Sequence, residues 1–431
     1  MTTYSSRVSL KFFGLLFFLT ALFFQSTATA QFRVDVSGVG LTQVPISIAA
    51  FKGEAVSAQK ISAIVASDLE RSGQFRHIDA GAVSLDENTQ PDMSAFRQKA
   101  VDAMAAGSVT RLADGRFDVR FRLWDVVKGS YLGGKTDIVQ ASNLRAAAHR
   151  ISDYIYEKLT GEKGVFSTKI AYVTKAGTRY TLWTADADGE NAIAQLTNTE
   201  PIISPAWSPN GGQLAYVSFE ARKPEVWVFD MNTRARRLVA GFKGSNSGPS
   251  WSPDGRTLTI TLSRDGNSQI YSVAASGGEP TRLTRSEGID TEATYSSDGK
   301  SIYFMSDRGG SPQIYRMSSS GGGATRVTFT GNYNISPTLS PDGKWLAYIS
   351  RAGGGYKLFV MDLATSAANA ITDTNADEKP SFAANSKLIV YATKFQGREA
   401  LMTTTVDGRV KAKLGGVGGD IREPAWAPMS N

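Results

Sequence analysis

The sequence predicts an α+β N-terminal domain followed by an all-β six-bladed β-propeller that its own C-terminal strand closes. Three observations predict it. A short motif with a tight-turn signature recurs at an almost constant interval, six matching second-strand signals follow the same period, and both patterns vanish upstream of about residue 164.

The repeated motif is clearest as PSWSPDGRTLTITLS from Pro249. It returns as PAWSPNGGQLAYVS from Pro205, ATYSSDGKSIYFMS from Ala293, PTLSPDGKWLAYIS from Pro337, PSFAANSKLIVYAT from Pro380 and PAWAP from Pro424, with successive starts 44, 44, 44, 43 and 44 residues apart. A fixed period of this length marks a repeat architecture. Within each copy, Pro253 and its equivalents preset φ for a turn, and Asp254 accepts the bend. Gly255 supplies the positive φ that joins one strand to the next. Two further strand-like runs complete each period, such as 225–231 and 236–240. Four short antiparallel strands per repeat make a propeller blade.

Six second strands, beginning at Ile170, Leu214, Leu258, Ile302, Leu346 and Leu388, give six blades. The first lacks a preceding PxWSP strand, and the last PxWSP strand, around Trp426, has no successor. The two halves are expected to complete one blade, which removes the open sheet edges that invite aggregation.

Residues 1–30 read as a signal peptide. Arg7 and Lys11 precede the apolar run 12–24, and Ala28, Thr29 and Ala30 form a small-residue cleavage site. The run is shorter than the roughly 20 residues a membrane span needs. Cleavage would start the mature chain at Gln31 and lower the formal charge from +7 to +5. That modest excess, without a basic run, argues against nucleic-acid binding. The absence of cysteine excludes thiol catalysis and cysteine-based zinc sites.

The α+β domain occupies 31–163 and the propeller 164–431. In the former, 45–51 reads as a buried strand. The segment 54–72 sets Ile61, Ile64, Val65 and Leu69 at helical spacing before Gly73. Strands are expected at 107–112, 116–125 and 131–139, with Asp114-Gly115 and Lys128-Gly129 as turns. A closing helix from Asn143 carries Leu144, Ala148, Ile151, Ile155 and Leu159 on one stripe and stops at Gly161. The short stretch GEKGVFST leads into the propeller.

Catalytic signatures do not emerge. The two histidines, His77 and His149, both fall in the small domain, and neither GxSxG nor HExxH occurs. His149 reads as a helix residue held by local hydrogen bonds. The DADG run at 186–189 reads as a hairpin turn without the later ligands of a calcium loop. No catalytic residue, resident metal or cofactor is expected. A secreted propeller enzyme would need a nucleophile or metal cluster in the channel. A carbohydrate-binding module would need aromatic platforms on the rim, where only Tyr333 qualifies.

The loops linking each fourth strand to the next first strand share one face of the ring with the second-to-third-strand hairpins. The inner loops hold Glu200, Asp290, Glu292, Asp377, Glu378, Asp420 and Glu423 against Lys379 and Arg422. The outer ones hold Arg222, Lys223, Arg264, Arg308, Arg351, Lys394 and Arg398. One reading is an acidic funnel ringed by basic residues, which would focus its field on a docking partner and bind calcium weakly. The other is a surface whose charges neutralise one another.

DLERSGQF at 68–75, AHRISDYIYEKLTGEKGVFSTKIAYVT at 148–174 and the six repeats together resemble the TolB family, the periplasmic propeller proteins of the Tol-Pal system. The resemblance implies a non-catalytic, monomeric partner-binding protein that maintains the outer membrane and its constriction during division. It implies a funnel that grips the lipoprotein Pal, which would make the protein peripheral to the outer membrane. Ser245, Asn246, Thr291, Glu292 and Asn334 stand at the family's Pal-contacting positions, with Ser245 where the family pattern carries a histidine. Asp290, Glu378 and Glu423 join them from the acidic loops. Bacteriocin translocation segments would be further ligands. The N-terminal segment Gln31, Phe32, Arg33, Val34, Asp35 and Val36 would engage TolA. Its alternation suits strand addition to another sheet edge, or an ordinary first strand of the small domain.

Overall fold

The computed structural model describes residues 34–36, 43–79, 81, 84–416 and 418–429. The expected signal peptide, and Gln31, Phe32 and Arg33, lie outside the described residues. Among those described, no helix is long and apolar enough to cross a membrane.

Six four-stranded antiparallel units make the propeller. Blade one comprises Lys169–Ala176, Arg179–Asp186 and Ile193–Asn198, and Asp420–Trp426 is its innermost strand. Blades two to six begin at Ile202, Asn246, Asp290, Asn334 and Glu378. The ring closes as expected, with Trp426 opposite Ile170 and Asp420 opposite Lys175. Each blade turns a hydrophobic face to its neighbours; Leu258, Ile260 and Leu262 of blade three, for example, are fully buried.

The repeat motif has a mechanical explanation in this ring. The Trp207 and Trp251 indoles each donate to the innermost strand of the preceding blade, at Ala425 O (3.1 Å) and Ala206 O (3.0 Å). Trp426 donates to Thr168 Oγ1 at 2.8 Å. The indoles of Trp207 and Trp251 therefore stitch adjacent blades together, and that of Trp426 ties the closing strand to blade one, each satisfying the polar end of a largely buried ring. In the turn, Ser252 Oγ accepts from Thr257 N at 3.0 Å, and Asp254 accepts from Arg256 N at 3.0 Å. Gly255 takes φ 70°, as the turn requires. In the degraded fifth copy, Ser386 adopts φ 62° at the glycine's place.

The small domain is a five-stranded sheet. In chain order its elements are β2 (Val44–Ile48), β3 (Ala50–Phe51), α1 (Ile61–Arg71), β4 (Phe75–His77), β5 (Ser84–Leu85), α2 (Met93–Gln98), β6 (Ala103–Arg111), β7 (Phe117–Asp125), β8 (Ser130–Val139) and α3 (Leu144–Thr160). The sheet order is β4-β2-β6-β7-β8, and β3 pairs with β5. Ile61, Val65 and Leu69 of α1 and Ile151 and Ile155 of α3 bury against one sheet face. The expected helix over 54–72 starts only at Ile61. Glu54 lies in a preceding 3-10 turn and accepts from Ser62 N (3.0 Å) and Ser62 Oγ (2.7 Å), so it caps the helix from outside. The short elements β4, β5 and α2 carry too little periodicity to be read from sequence.

The first strand, β1 (Val34–Val36), is not part of the small domain's sheet. It pairs antiparallel with Val410–Lys413, placing Val34 opposite Ala412, and adds a fifth strand to the outer edge of blade six. This corrects the reading of an ordinary first strand.

The small domain sits on the propeller face that carries the first-to-second-strand and third-to-fourth-strand turns. Arg71 donates to Ala187 O, Lys387 pairs with Glu162 at 3.0 Å, and Gly73 lies directly against Thr405 and Val410. The seam also overturns the local reading of His149, whose charged neighbours are Asp68, Asp186 and Asp188.

Candidate docking funnel and central channel

Each innermost strand lines the channel and carries a bulge, at 203/206, 247/250, 291/294, 335/338, 378/381 and 422/425. One residue per bulge is left-handed: Ser204, Gly248, Glu292, Ser336, Lys379 and Glu423, with φ between 44° and 58°. Five carry side chains, each costing about 1–2 kcal/mol in that conformation. These six residues ring a channel of about 630 Å³, lined beyond them by the prolines and aromatics of the repeats. Strain gathered at one level of a cavity is a mark of a working site.

The ring's charges are unequal. Glu292 accepts from Ser336 N at 2.8 Å and pairs with Lys379 Nζ at 2.8 Å. Burial pushes the Glu292 carboxyl up. The Lys379 charge and the Ser336 bonds more than offset it, so its pKa ends below the ordinary value. Burial alone would lower Lys379, but Glu292 and then Glu423 hold it raised. The Glu423 carboxylate accepts no hydrogen bond from the described residues.

The acidic-funnel reading needs correction above the ring. Asp290 is fully buried and bonded to Arg308 (2.9 Å) and Ser286 (2.8 Å), so an outer-loop cation folds onto an inner-loop acid. Asp377 is buried too, accepting from Thr374, Thr393 and Leu358 N. Asp420 pairs with Arg422, Lys223 with Glu225 and Lys394 with Glu399. Charge neutralisation thus describes most of this face. The remaining negative charge is local: Glu378 and Glu423 line a hollow of about 260 Å³ between blades six, one and two, beside the Asp420–Arg422 pair and Lys175. Burial raises the Glu378 carboxyl; Arg422 opposes this, and Glu423, Glu399 and Asp420 reinforce it.

The positions singled out by resemblance are brought to this face with different exposures. Asn246 and Asn334 are fully buried and spend their side chains on groups within the protein. Asn246 bridges Phe242 N and O at 2.9 Å each, and Asn334 donates to Gln313 Oε1 (2.8 Å) and Thr330 O (3.0 Å). They shape the rim rather than present a side chain to solvent. Ser245 and Thr291 are half-buried; Thr291 Oγ1 meets Thr261 Oγ1 at 3.1 Å. Glu292 faces the channel, and Glu378 and Glu423 the hollow.

Sequence reasoning missed the apolar side of the rim. Phe329 is 73 % exposed and Ile289 44 %, both in inner loops, and Tyr356, 40 % exposed, packs edge-on against Tyr333 at 5.9 Å. The run FTGNYN at 329–334 was a usable signal, because large apolar residues in a loop have no strand face to bury them.

Family models match at both ends of the chain: the TolB amino-terminal domain over residues 32–132 and the TolB beta propeller domain over 156–430. The chain is 76 % identical over 407 residues to the Tol-Pal system protein TolB of Polaromonas naphthalenivorans (strain CJ2), covering 94 % of this chain and 95 % of the relative. It is 60 % identical over 423 residues to that of Dechloromonas aromatica (strain RCB), covering 98 % of both. The crystal structure of TolB from Acinetobacter baumannii superposes with a TM-score of 0.84 at 40 % identity, over 93 % of this chain and all of that one.

Proposed function

The chain belongs to the TolB family of the Tol-Pal system, and on that premise we propose that it is a non-catalytic periplasmic protein that links the lipoprotein Pal to TolA. In that role it maintains outer-membrane integrity and supports outer-membrane invagination during cell division. Residues 1–30 direct its export, and the mature protein acts as a monomer, peripheral to the outer membrane through Pal.

One observation carries the Pal-binding reading. The funnel face sets exposed Phe329, Ile289 and Tyr356 on one side and the carboxylates of Glu378 and Glu423, unpaired among the described residues, on the other. Aromatic anchors beside a polar rim are what a specific protein interface uses. Ser245, Thr291 and Glu292 lie on the same face, and bacteriocin translocation segments would compete for the same surface. Calcium binds weakly at Glu378, Asp420 and Glu423, because Lys379 already neutralises Glu292. The N-terminal segment reaches TolA by strand addition. Its docked alternative is β1 on blade six, whose ladder cannot serve both partners at once.

Calorimetry with purified Pal tests the funnel through Phe329→Ala and Glu423→Gln. We expect each to weaken binding about tenfold or more, as loss of an interface anchor does. Wild-type affinity in both variants would remove this face from Pal binding.

A further inference from the structure

His149 lies on α3 at the seam between the small domain and the propeller, 1 % exposed. Both its ring nitrogens face carboxylates. Nδ1 is 2.7 Å from Asp68 Oδ2 of α1; Nε2 is 3.8 Å from Asp186 Oδ2 and 3.7 Å from Asp188 Oδ2, on the blade-one turn. A neutral imidazole carries one proton and would aim a lone pair at one of these groups. The arrangement is attractive on both sides only for the imidazolium.

The burial of the charges at the seam favours the same state. Three buried carboxylates, those of Asp68, Asp186 and Asp188, face the buried guanidinium of Arg71 and the partly buried one of Arg145, whose side chain is 17 % exposed. Arg71 pairs with Asp68 at 2.9 Å and donates to Ala187 O, and Arg145 reaches both Asp188 and Asp186. Lys169 also pairs with Asp186, but its side chain is 45 % exposed and solvated at the edge. Ser152 donates to Asp68 at 2.8 Å. Asp153, nearby on α3, accepts from Phe166 N and Ser167 N of the connecting stretch. With His149 neutral, the third buried carboxylate would be balanced only by the half-exposed Lys169, and one ring nitrogen would turn a lone pair toward a buried carboxylate.

We propose that seating of the small domain on the propeller is proton-linked: His149 takes up a proton when α3 closes on the Asp186–Asp188 turn and releases it when the domains part. The linkage is built into the seam because the carboxylates on Nε2 belong to the propeller, whereas Asp68 belongs to the small domain. Parting therefore removes two of the three groups that hold the proton. Burial disfavours the charge, yet Asp68, Asp186 and Asp188 together push the pKa up to about 10. A raised pKa in the seated state means that the contribution is complete below the ordinary histidine value near 6.5 and is lost as pH rises toward about 10. Within that window the seating equilibrium weakens up to tenfold per pH unit.

The chain's two histidines make the test direct. Imidazole Cε1–H signals of the mature full-length protein, assigned with a His77→Gln variant, are followed from pH 5 to 10.5. His149 is expected to remain in the imidazolium position through pH 8, and titration near 6.5 would overturn the proposal. In parallel, hydrogen exchange at 186–189 and along α3, corrected for the intrinsic pH dependence of exchange, reports seam opening. Opening should rise steeply between pH 7 and 9 in wild type and be flat in His149→Gln. An equal slope in both proteins overturns the linkage, and the wild-type titration decides the matter even if that variant fails to fold.

Discussion

Glu292 of blade four and Lys379 of blade six form an ion pair at 2.8 Å inside the propeller channel, with the blade-five residue Ser336 donating to the same carboxylate. Three blades are thus tied at the level where every innermost strand is bulged. Removing only the cation, by Lys379→Met, leaves Glu292 in the channel with an uncompensated charge. We expect a loss of about 2–3 kcal/mol, below the roughly 3–5 kcal/mol for a fully buried pair because the channel admits water. The double variant Glu292→Gln/Lys379→Met should recover most of it, as measured by urea unfolding. The Glu292 pKa is lowered on folding, so its contribution is present above the ordinary glutamate value and lost as pH falls through the depressed one. Acid should therefore narrow the gap between wild type and the double variant.

The same cation decides the channel's response to calcium. While Lys379 neutralises Glu292, calorimetry should find only weak calcium binding to the wild-type protein. Lys379→Met exposes Glu292 and Glu423 together and should tighten it several-fold. Unchanged calcium affinity in the variant would mean that the two carboxylates do not act on a common ion.

Ring closure depends on one strand. Trp426 is buried, donates to Thr168 through its indole, and sits in a strand whose Ala425 O receives the Trp207 indole. Trp426→Ala should cost about 3–5 kcal/mol from the lost ring alone. Deleting 423–431 should cost more, because it also removes the Ala425–Ala171 and Trp426–Ile170 pairs and opens that end of blade one's ladder. A truncated protein that melts with the wild type would contradict the closure.

The blade architecture was legible in the sequence because a 44-residue period repeats one local solution, and each copy corroborates the others. The channel ring was partly legible. Its column reads Ser204, Gly248, Glu292, Ser336, Lys379 and Glu423, and the glycine hints at the positive φ that all six adopt. What composition cannot give is the direction of a charge. Asp290 and Glu423 occur in equivalent loops, yet Arg308 draws Asp290 inward, whereas no cation among the described residues pairs directly with Glu423. His149 was misread for a related reason. Helical spacing shows which residues share a stripe, not that the stripe meets an Asp-Ala-Asp turn 37 residues further along the chain.

The N-terminal segment offers a cleaner separation of roles than the sequence implied. Because β1 pairs with blade six and not with the small domain's sheet, deleting 31–38 should leave the small domain folded. Circular dichroism and melting should change little, while capture of TolA should be abolished and Pal binding should shift modestly, since coupling between two ligands is reciprocal. Wild-type TolA capture by the truncated protein would refute the assignment.

Backbone strain at the channel ring sets stability against function at Glu423. Its φ of 56° is left-handed, and its carboxylate gains no hydrogen bond from the described residues in return. A glycine there would escape the Cβ clash, worth about 1–2 kcal/mol, but would lose about 0.5–1 kcal/mol in unfolded-state entropy. Glu423→Gly should therefore be more stable than Glu423→Ala by up to about 1 kcal/mol, since alanine removes the carboxylate and keeps the strain. The acidic hollow should change equally in both, because Glu378 loses the Glu423 repulsion either way and its raised pKa should fall. If the carboxylate is held in this conformation for partner binding, the two variants should bind Pal equally weakly despite their different stabilities. Alanine at least as stable as glycine would show that no strain is stored at this position. Pal affinity that followed stability instead of the carboxylate would show that the strain serves the fold alone.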